Sequence, residues 1–273
     1  MTSCTKCGCD WTPLMRHSSL CAACLLRIAL ERTPMESEGV ASAAERLTPI
    51  GQGPNGIVYL GRLPDDSERL VTLKVIQRPV DVDAFVGLIR QLIVRLHDME
   101  HARISCLLDA DATSDGGAVV CAEYAPGCQI DHFFHARASP RERLEVLVDL
   151  CNMVAALHAA AMVHGSIKPQ NVIVAGSSSG AIATLLDTGI GPGIEACSLG
   201  TAKAARAGQR NELFDPTAIE RDICDLQRLV LQVLHEAGAT VCAQLRERLQ
   251  SSRCSSAGEI GAELHATALT LHV

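Results

Sequence analysis

The sequence predicts an α+β protein with two unlike lobes, a small β-rich one followed by a larger helical one, behind a short metal-binding module. Three observations predict it. Two Cys-x2-Cys pairs crowd the first 24 residues, short β-branched runs separated by turn residues begin near residue 47, and beyond Pro126 apolar residues recur at helical spacing.

The cysteines come first. Cys4-x2-Cys7 and Cys21-x2-Cys24 lie thirteen residues apart. Two such pairs bring four thiolates to one tetrahedral Zn2+, and about thirty residues bury too little surface to fold otherwise. Residues 1–30 are read as a zinc-ribbon module with a closed structural site, Cys9 being a spare thiol able to replace a ligand. Loose thiols or a redox pair form the competing reading. Eight further cysteines are scattered between residues 106 and 254 and read as small core residues. Residues 31–45 carry Pro, Gly and Ser and read as a linker.

The β-rich lobe follows as residues 46–125. Leu47–Ile50, Ile57–Gly61 and Leu70–Ile76 form the pattern of an antiparallel meander, and Ala118–Tyr124 is a further strand. Between them Phe85, Leu88, Leu92 and Leu96 mark one amphipathic helix. In residues 126–273, Leu147, Leu150, Val154 and Leu157 line a buried helical face, and a later helix runs from about Ile219 to His235.

Composition narrows the function. The chain has 273 residues, 48% hydrophobic and 20% charged, so a disordered tail is excluded and a sizeable core is expected. With only seven aromatics, that core is expected to be mostly aliphatic. The net charge of −7 gives no basic surplus for nucleic acid or anionic membrane, and neither is expected as a partner. No apolar stretch of about 18 residues exists and the polar start lacks a signal-peptide pattern, so a cytoplasmic location is expected.

Two motifs carry chemistry. Gly51-Gln52-Gly53-Pro54-Asn55-Gly56-Ile57-Val58 places three glycines between two strands, where the backbone can approach phosphates without a Cβ clash; a plain turn is the alternative. No helix follows, which excludes a dinucleotide-binding turn. Lys74 stands inside the apolar strand Val71–Ile76, and a buried ammonium needs an anionic partner such as a phosphate or carboxylate; an edge lysine reaching solvent is the alternative.

Further on come His164-Gly165-Ser166-Ile167-Lys168-Pro169-Gln170-Asn171 and Leu186-Asp187-Thr188-Gly189. Together with the glycine hairpin and Lys74, this ordered series resembles the protein kinase domain: Gly-rich loop, strand lysine, HRDxKxxN catalytic loop and DFG motif. Glu123-Tyr124 resembles the hinge, Asp222 the helix aspartate that braces the catalytic loop, and Arg253-Cys254-Ser255-Ser256-Ala257 the late RPxSA segment. The N-terminal cysteine module resembles the leader of certain bacterial Ser/Thr kinases. The resemblance implies a bilobal protein kinase-like fold with a β-rich N-lobe and a helical C-lobe. It implies ATP and Mg2+ as cofactors, with Gly51, Gly53, Gly56 and Lys74 on phosphates and Lys168 reaching the terminal one. Val58 and Ile173 would sandwich adenine, Glu123 would lie at the hinge, and Asn171 and Asp187 would supply oxygen ligands to Mg2+.

The departures matter more. Ser166 holds the position where kinases have the aspartate that orients the substrate hydroxyl and takes its proton, and a serine hydroxyl is far too weak a base to replace it. General-base contributions of 10²–10⁴ imply a barrier raised by roughly 3–5 kcal/mol. Gln91 replaces the glutamate that pairs the strand lysine, Thr188 replaces the DFG phenylalanine, Gly165 the HRD arginine, and Thr217 the APE glutamate. Three readings follow: a pseudokinase that binds ATP and Mg2+ and serves as a regulatory or scaffolding module, a divergent active Ser/Thr kinase or other ATP-dependent transferase, and a nucleotide-free interaction scaffold. No protein partner or substrate can be named from the sequence.

Overall fold

The computed structural model describes residues 2–3, 10–11, 48–63, 70–77, 80–99, 103–113, 116–135, 139–177, 180–198, 216–236, 245, 247–249 and 254–270. The predicted zinc ligands Cys4, Cys7, Cys21 and Cys24, the spare Cys9, the 31–45 linker and Arg253 lie outside these residues. The chain divides into two compact units, Met1–Ile93 with Leu107–Tyr124, and Val94–Cys106 with Ala125–Val273. It therefore passes into the second unit and back before Ala125.

In the first unit, β1 (Thr2–Ser3) pairs antiparallel with β2 (Asp10–Trp11). A five-stranded antiparallel sheet follows, in the order β3-β4-β5-β7-β6. It is built from β3 (Thr48–Gly53), β4 (Gly56–Arg62), β5 (Leu70–Ile76), β6 (Leu107–Ala112) and β7 (Ala118–Glu123). The expected meander is β3 to β5. The sequence reading missed β6, because Leu107-Leu108-Asp109-Ala110-Asp111-Ala112 has no β-branched residue. It works as an edge strand: Asp109 Oδ1 accepts the Ala110 N–H at 2.8 Å and Asp111 Oδ1 the Ala112 N–H at 2.9 Å. These side chains occupy backbone donors that an edge would otherwise offer to another chain.

Helix α1 (Val82–His97) starts at Asp81, whose Oδ1 accepts the Ala84 N–H at 3.1 Å. Its buried face is Phe85, Val86, Ile89 and Leu92. Leu88 and Leu96, expected on that stripe, are half-buried. At about 100° per residue Leu88 falls at the margin of the face, and Leu96 sits in the last turn.

The second unit is mostly helical. Helix α2 (Ile130–His135) is followed by α3 (Pro140–Ala159), on which Leu147, Leu150, Val154 and Leu157 are fully buried, as the spacing predicts. Ser139 and Glu142 form a capping box ahead of Pro140, which fixes the start of α3. Strands β8 (Cys128–Gln129), β9 (Val172–Ser177) and β10 (Gly180–Leu185) make a small sheet ordered β10-β9-β8. Helix α4 (Ile190–Cys197) follows, then α5 (Pro216–Glu236) and α6 (Ala257–Thr270). Helix α6 packs on α3, and Gly261 permits it: a Cβ there would lie 3.1 Å from Cys151 Cβ. The segment after α1 joins this unit through Leu185, which donates to the Arg103 carbonyl at 3.0 Å and accepts from the Ser105 N–H at 2.8 Å. Arg103 also pairs with Asp149. Among the described residues no helix is long and apolar enough to cross a membrane.

Candidate functional site

In the first unit the sheet register collects the predicted residues. Val58 lies opposite Lys74, which lies opposite Val120; Leu60 lies opposite Thr72, which lies opposite Ala122. Directly paired residues share a face and alternate residues change it. Val58, Lys74, Thr72 and Ala122 therefore stand on one face, while Val71, Leu73, Val119 and Cys121 form a buried cluster on the other. Lys74 is half-buried, as an ammonium in an apolar strand requires.

The glycine hairpin turns over Pro54-Asn55, with Gly53 paired to Gly56. Only Gly56 is sterically compelled: its φ is 148°, and a Cβ would lie 1.8 Å from the Val75 carbonyl oxygen. A Cβ on Gly51 would meet nothing closer than Val58 Cβ at 3.9 Å, and one on Gly53 would meet nothing within 4 Å. At the end of β7 the Tyr124 N–H donates to the Leu70 carbonyl at 3.2 Å. The Glu123 carbonyl is the opposite end of that planar peptide and points away from β5. Gln91 is exposed, off the buried face of α1.

In the second unit, the loop carrying Ser166 is built around Asp222 of α5. Its fully buried carboxylate accepts the His164 and Gly165 N–H groups, each at 2.7 Å, and lies 3.2 Å from His158 Nε2. A buried carboxylate is tolerable only with such partners. His164 is itself fully buried, and that burial pushes its pKa down while the nearby Asp222 opposes the shift. The hydrogen bonds fix a neutral tautomer. Nδ1 accepts the Ser166 N–H at 3.1 Å, so Nε2 carries the proton and donates to the Leu186 carbonyl at 2.7 Å.

The same loop is tied to the turn that carries Asp187. Gly189 donates to the His164 carbonyl at 3.1 Å, and Leu186 donates to the Asn171 carbonyl at 2.8 Å. Asn171 closes a 3-10 turn over Pro169–Asn171, and its Nδ2 donates to the Ser166 carbonyl at 2.8 Å. That bond leaves the carboxamide oxygen as the atom suited to a hard cation. Asp187 adopts a left-handed backbone, φ 61°, which costs a non-glycine residue about 1–2 kcal/mol and is tolerated best by Asp and Asn. The structure thus brings Ser166, Asn171 and Asp187 into one bonded frame. Lys168 is half-buried at its edge, and Ile173 is half-buried on β9. Among the described residues no three His, Cys, Asp or Glu side chains converge on a metal position, so the zinc reading rests on the N-terminal cysteines alone.

The sequence reading did not anticipate His158 as a partner of Asp222, nor helix α4. Gly189-Ile190-Gly191-Pro192-Gly193 carries three glycines and a proline, yet a helix starts there. Pro192 falls in the first turn, where its missing N–H is not needed, and Gly193 donates to the Gly189 carbonyl at 3.0 Å. Thr188 is buried and its hydroxyl has no hydrogen-bond partner.

A five-stranded antiparallel lobe with a glycine hairpin and strand lysine, and a helical lobe whose loop and following turn are pinned by a helix aspartate, define a protein kinase-like fold. The protein kinase domain family matches residues 44–210, and the chain belongs to that family. It is 30% identical over 148 residues to the serine/threonine-protein kinase pkn2 of Myxococcus xanthus, covering 53% of this chain and 17% of that protein. It is 27% identical over 141 residues to the serine/threonine-protein kinase TIO of Arabidopsis thaliana, covering 51% of this chain and 10% of that protein. The matches thus span a minor part of each relative's length. Among solved structures, the PknI kinase domain of Mycobacterium tuberculosis aligns with a TM-score of 0.54 and 18% identity, over 84% of this chain and 100% of that one. That likeness is one of fold.

Proposed function

We propose that this kinase-family protein binds ATP with Mg2+ and acts as a regulatory or scaffolding module with little phosphotransfer. One observation carries the reading: the frame around position 166 is intact, held by Asp222, His164 and Asn171, while the group it positions is a serine hydroxyl instead of a carboxylate. A hydroxyl carries no charge at neutral pH and does not accept the substrate proton. On the nucleotide side, Gly51, Gly53, Gly56 and Lys74 would meet phosphates, Val58 and Ile173 the adenine faces, and the Glu123 carbonyl its edge. Asn171 and Asp187 supply the oxygen atoms that Mg2+ prefers, and Lys168 a cation for the terminal phosphate.

A divergent active kinase or other ATP-dependent transferase is the second reading, favoured by the retention of Lys74, Lys168, Asn171 and Asp187 together. We further propose that residues 1–30 form a zinc-ribbon module held by Cys4, Cys7, Cys21 and Cys24, joined through 31–45 to lobes of 46–125 and 126–273, and that the protein works in the cytoplasm. Calorimetric titration of ATP with and without Mg2+, on wild type and Lys74→Ala, tests the nucleotide reading. Binding that weakens roughly 10- to 100-fold in the variant, the loss of one charge-assisted contact, supports it. Absence of binding by folded wild type leaves the nucleotide-free scaffold, and robust kinase turnover abolished by Lys74→Ala selects the transferase.

A further inference from the structure

Both faces of the five-stranded sheet are closed. On the face opposite Lys74, Val71, Leu73, Val119 and Cys121 are no more than 1% exposed. The described side chains packed against them are Tyr59, Leu63, Val75 and Leu108, which lie on the sheet strands or, for Leu63, just past the end of β4; none comes from α1. Neighbours on the same face shield a strand residue from the sides and leave it open above, so an antiparallel sheet without a second layer keeps one face wet. Four residues buried this deeply therefore carry a covering layer. Within this unit, the stretches outside the described residues are polar at 64–69 (Pro-Asp-Asp-Ser-Glu-Arg), 78–79 (Arg-Pro) and 114–115 (Ser-Asp), and cysteine-rich at 4–9. Residues 12–47 are the one long stretch, and they hold the run Leu25-Leu26-Arg27-Ile28-Ala29-Leu30, five apolar residues of six.

We propose that this sheet face is an intramolecular docking surface whose occupant is the chain's own 12–47 segment, seated through the apolar run at 25–30. The chain enters β3 at Thr48, so the segment arrives at an edge strand of the same sheet and needs no long connection to lie across it. The chemistry matches on both sides. The face offers aliphatic side chains and the Cys121 thiol, and the run offers Leu and Ile. On the β6 rim, Asp109 stands opposite Cys121 and Asp111 opposite Val119, so Arg27, the lone charge of the run, meets opposite charge there. Leu73 and Lys74 are neighbours on β5 and point to opposite faces. The docked segment therefore backs the strand that carries the lysine and braces it from behind.

Thiol labelling of the reduced full chain, mapped by mass spectrometry, tests this. Cys121 is expected to react at least roughly a hundredfold more slowly than Cys128 and Cys224, which are exposed. Leu26→Asp with Ile28→Asp is expected to speed Cys121 by roughly tenfold or more, while Cys151, buried in the helical unit, stays protected. Cys121 reacting as fast as Cys224 in wild type overturns the proposal, as does unchanged protection in the folded variant. Should Cys151 lose its protection in the variant as well, the photo-cross-linking residue p-benzoylphenylalanine in place of the half-buried Leu108, in an otherwise wild-type chain, decides. Cross-links into residues 12–47 of the same chain support the proposal; cross-links to a second copy, or to no part of 12–47, overturn it. Because no nucleotide enters the readout, failure of ATP binding and failure of the docked segment are separate results.

Discussion

The Asn171 carboxamide donates to the Ser166 carbonyl at 2.8 Å. The bond steadies the loop that carries Ser166, and Asp222 holds the same loop from behind through the His164 and Gly165 amides. If the proposed function holds, a serine in this bonded frame predicts that scaffold and chemistry separate under mutation.

Asp222→Ala is expected to lower stability by about 3 kcal/mol or more, because two buried N–H groups and His158 lose their acceptor together. Urea unfolding followed by circular dichroism measures it. A change of a few tenths would mean the loop does not depend on this brace.

Ser166→Asp is expected to recover less than the 10²–10⁴ that a positioned general base contributes, because Gln91 would still stand where the resemblance places the glutamate that pairs the strand lysine. Phosphate transfer to a mixed peptide acceptor is the assay. Recovery of the full factor by this single change would show that residue 166 alone limits transfer.

Gly56→Ala is expected to destabilise strongly, since its Cβ would meet the Val75 carbonyl at 1.8 Å in a left-handed backbone, whereas Gly53→Ala meets nothing within 4 Å. Thermal midpoints of the two variants check the contrast. Equal losses would show that the hairpin is not pinned by β5 at Gly56.

Acid is expected to destabilise the protein in two stages. Burial lowers the pKa of His164 below the ordinary 6.5, so its folded form stays neutral while the unfolded chain takes up a proton; stability is whole above pH 6.5 and declines as pH falls below it. Glu142 and Glu259 are lowered from 4.5 by the serine N–H and hydroxyl groups of their caps, so their contribution is present above pH 4.5 and is lost as pH falls through the folded values. Unfolding free energy against pH, with Glu142→Gln as the comparison, measures both. The variant should shrink the lower stage by the Glu142 share, leave the Glu259 share, and spare the upper stage.

Much of this was legible in the sequence because strong local patterns coincided with tertiary use. Leu147, Leu150, Val154 and Leu157 face the core as their spacing says, and β3 to β5 follow their β-branched runs. Strand β6 was not legible because an edge is specified by its aspartates and its neighbour β7, not by propensity. Helix α4 was not legible because its glycines and proline argue locally for a loop, and only packing against Gly165 and burial of Ile190 and Ile194 outweigh them. At the site, motif order named Ser166, Asn171 and Asp187, which hydrogen bonds tie into one frame. The His158 contact and the Gly165–Pro192 fit are tertiary facts with no local signal.

The most direct test of the central claim, nucleotide binding without efficient transfer, is one incubation of the full chain with Mg2+ and γ-labelled ATP, followed by separation of bound ATP, free phosphate and labelled protein. The account predicts near-stoichiometric bound ATP recovered intact, and its loss in Lys74→Ala. Consumption of the label at the roughly 1–100 per second of ordinary kinases, or no bound ATP at all, would contradict it.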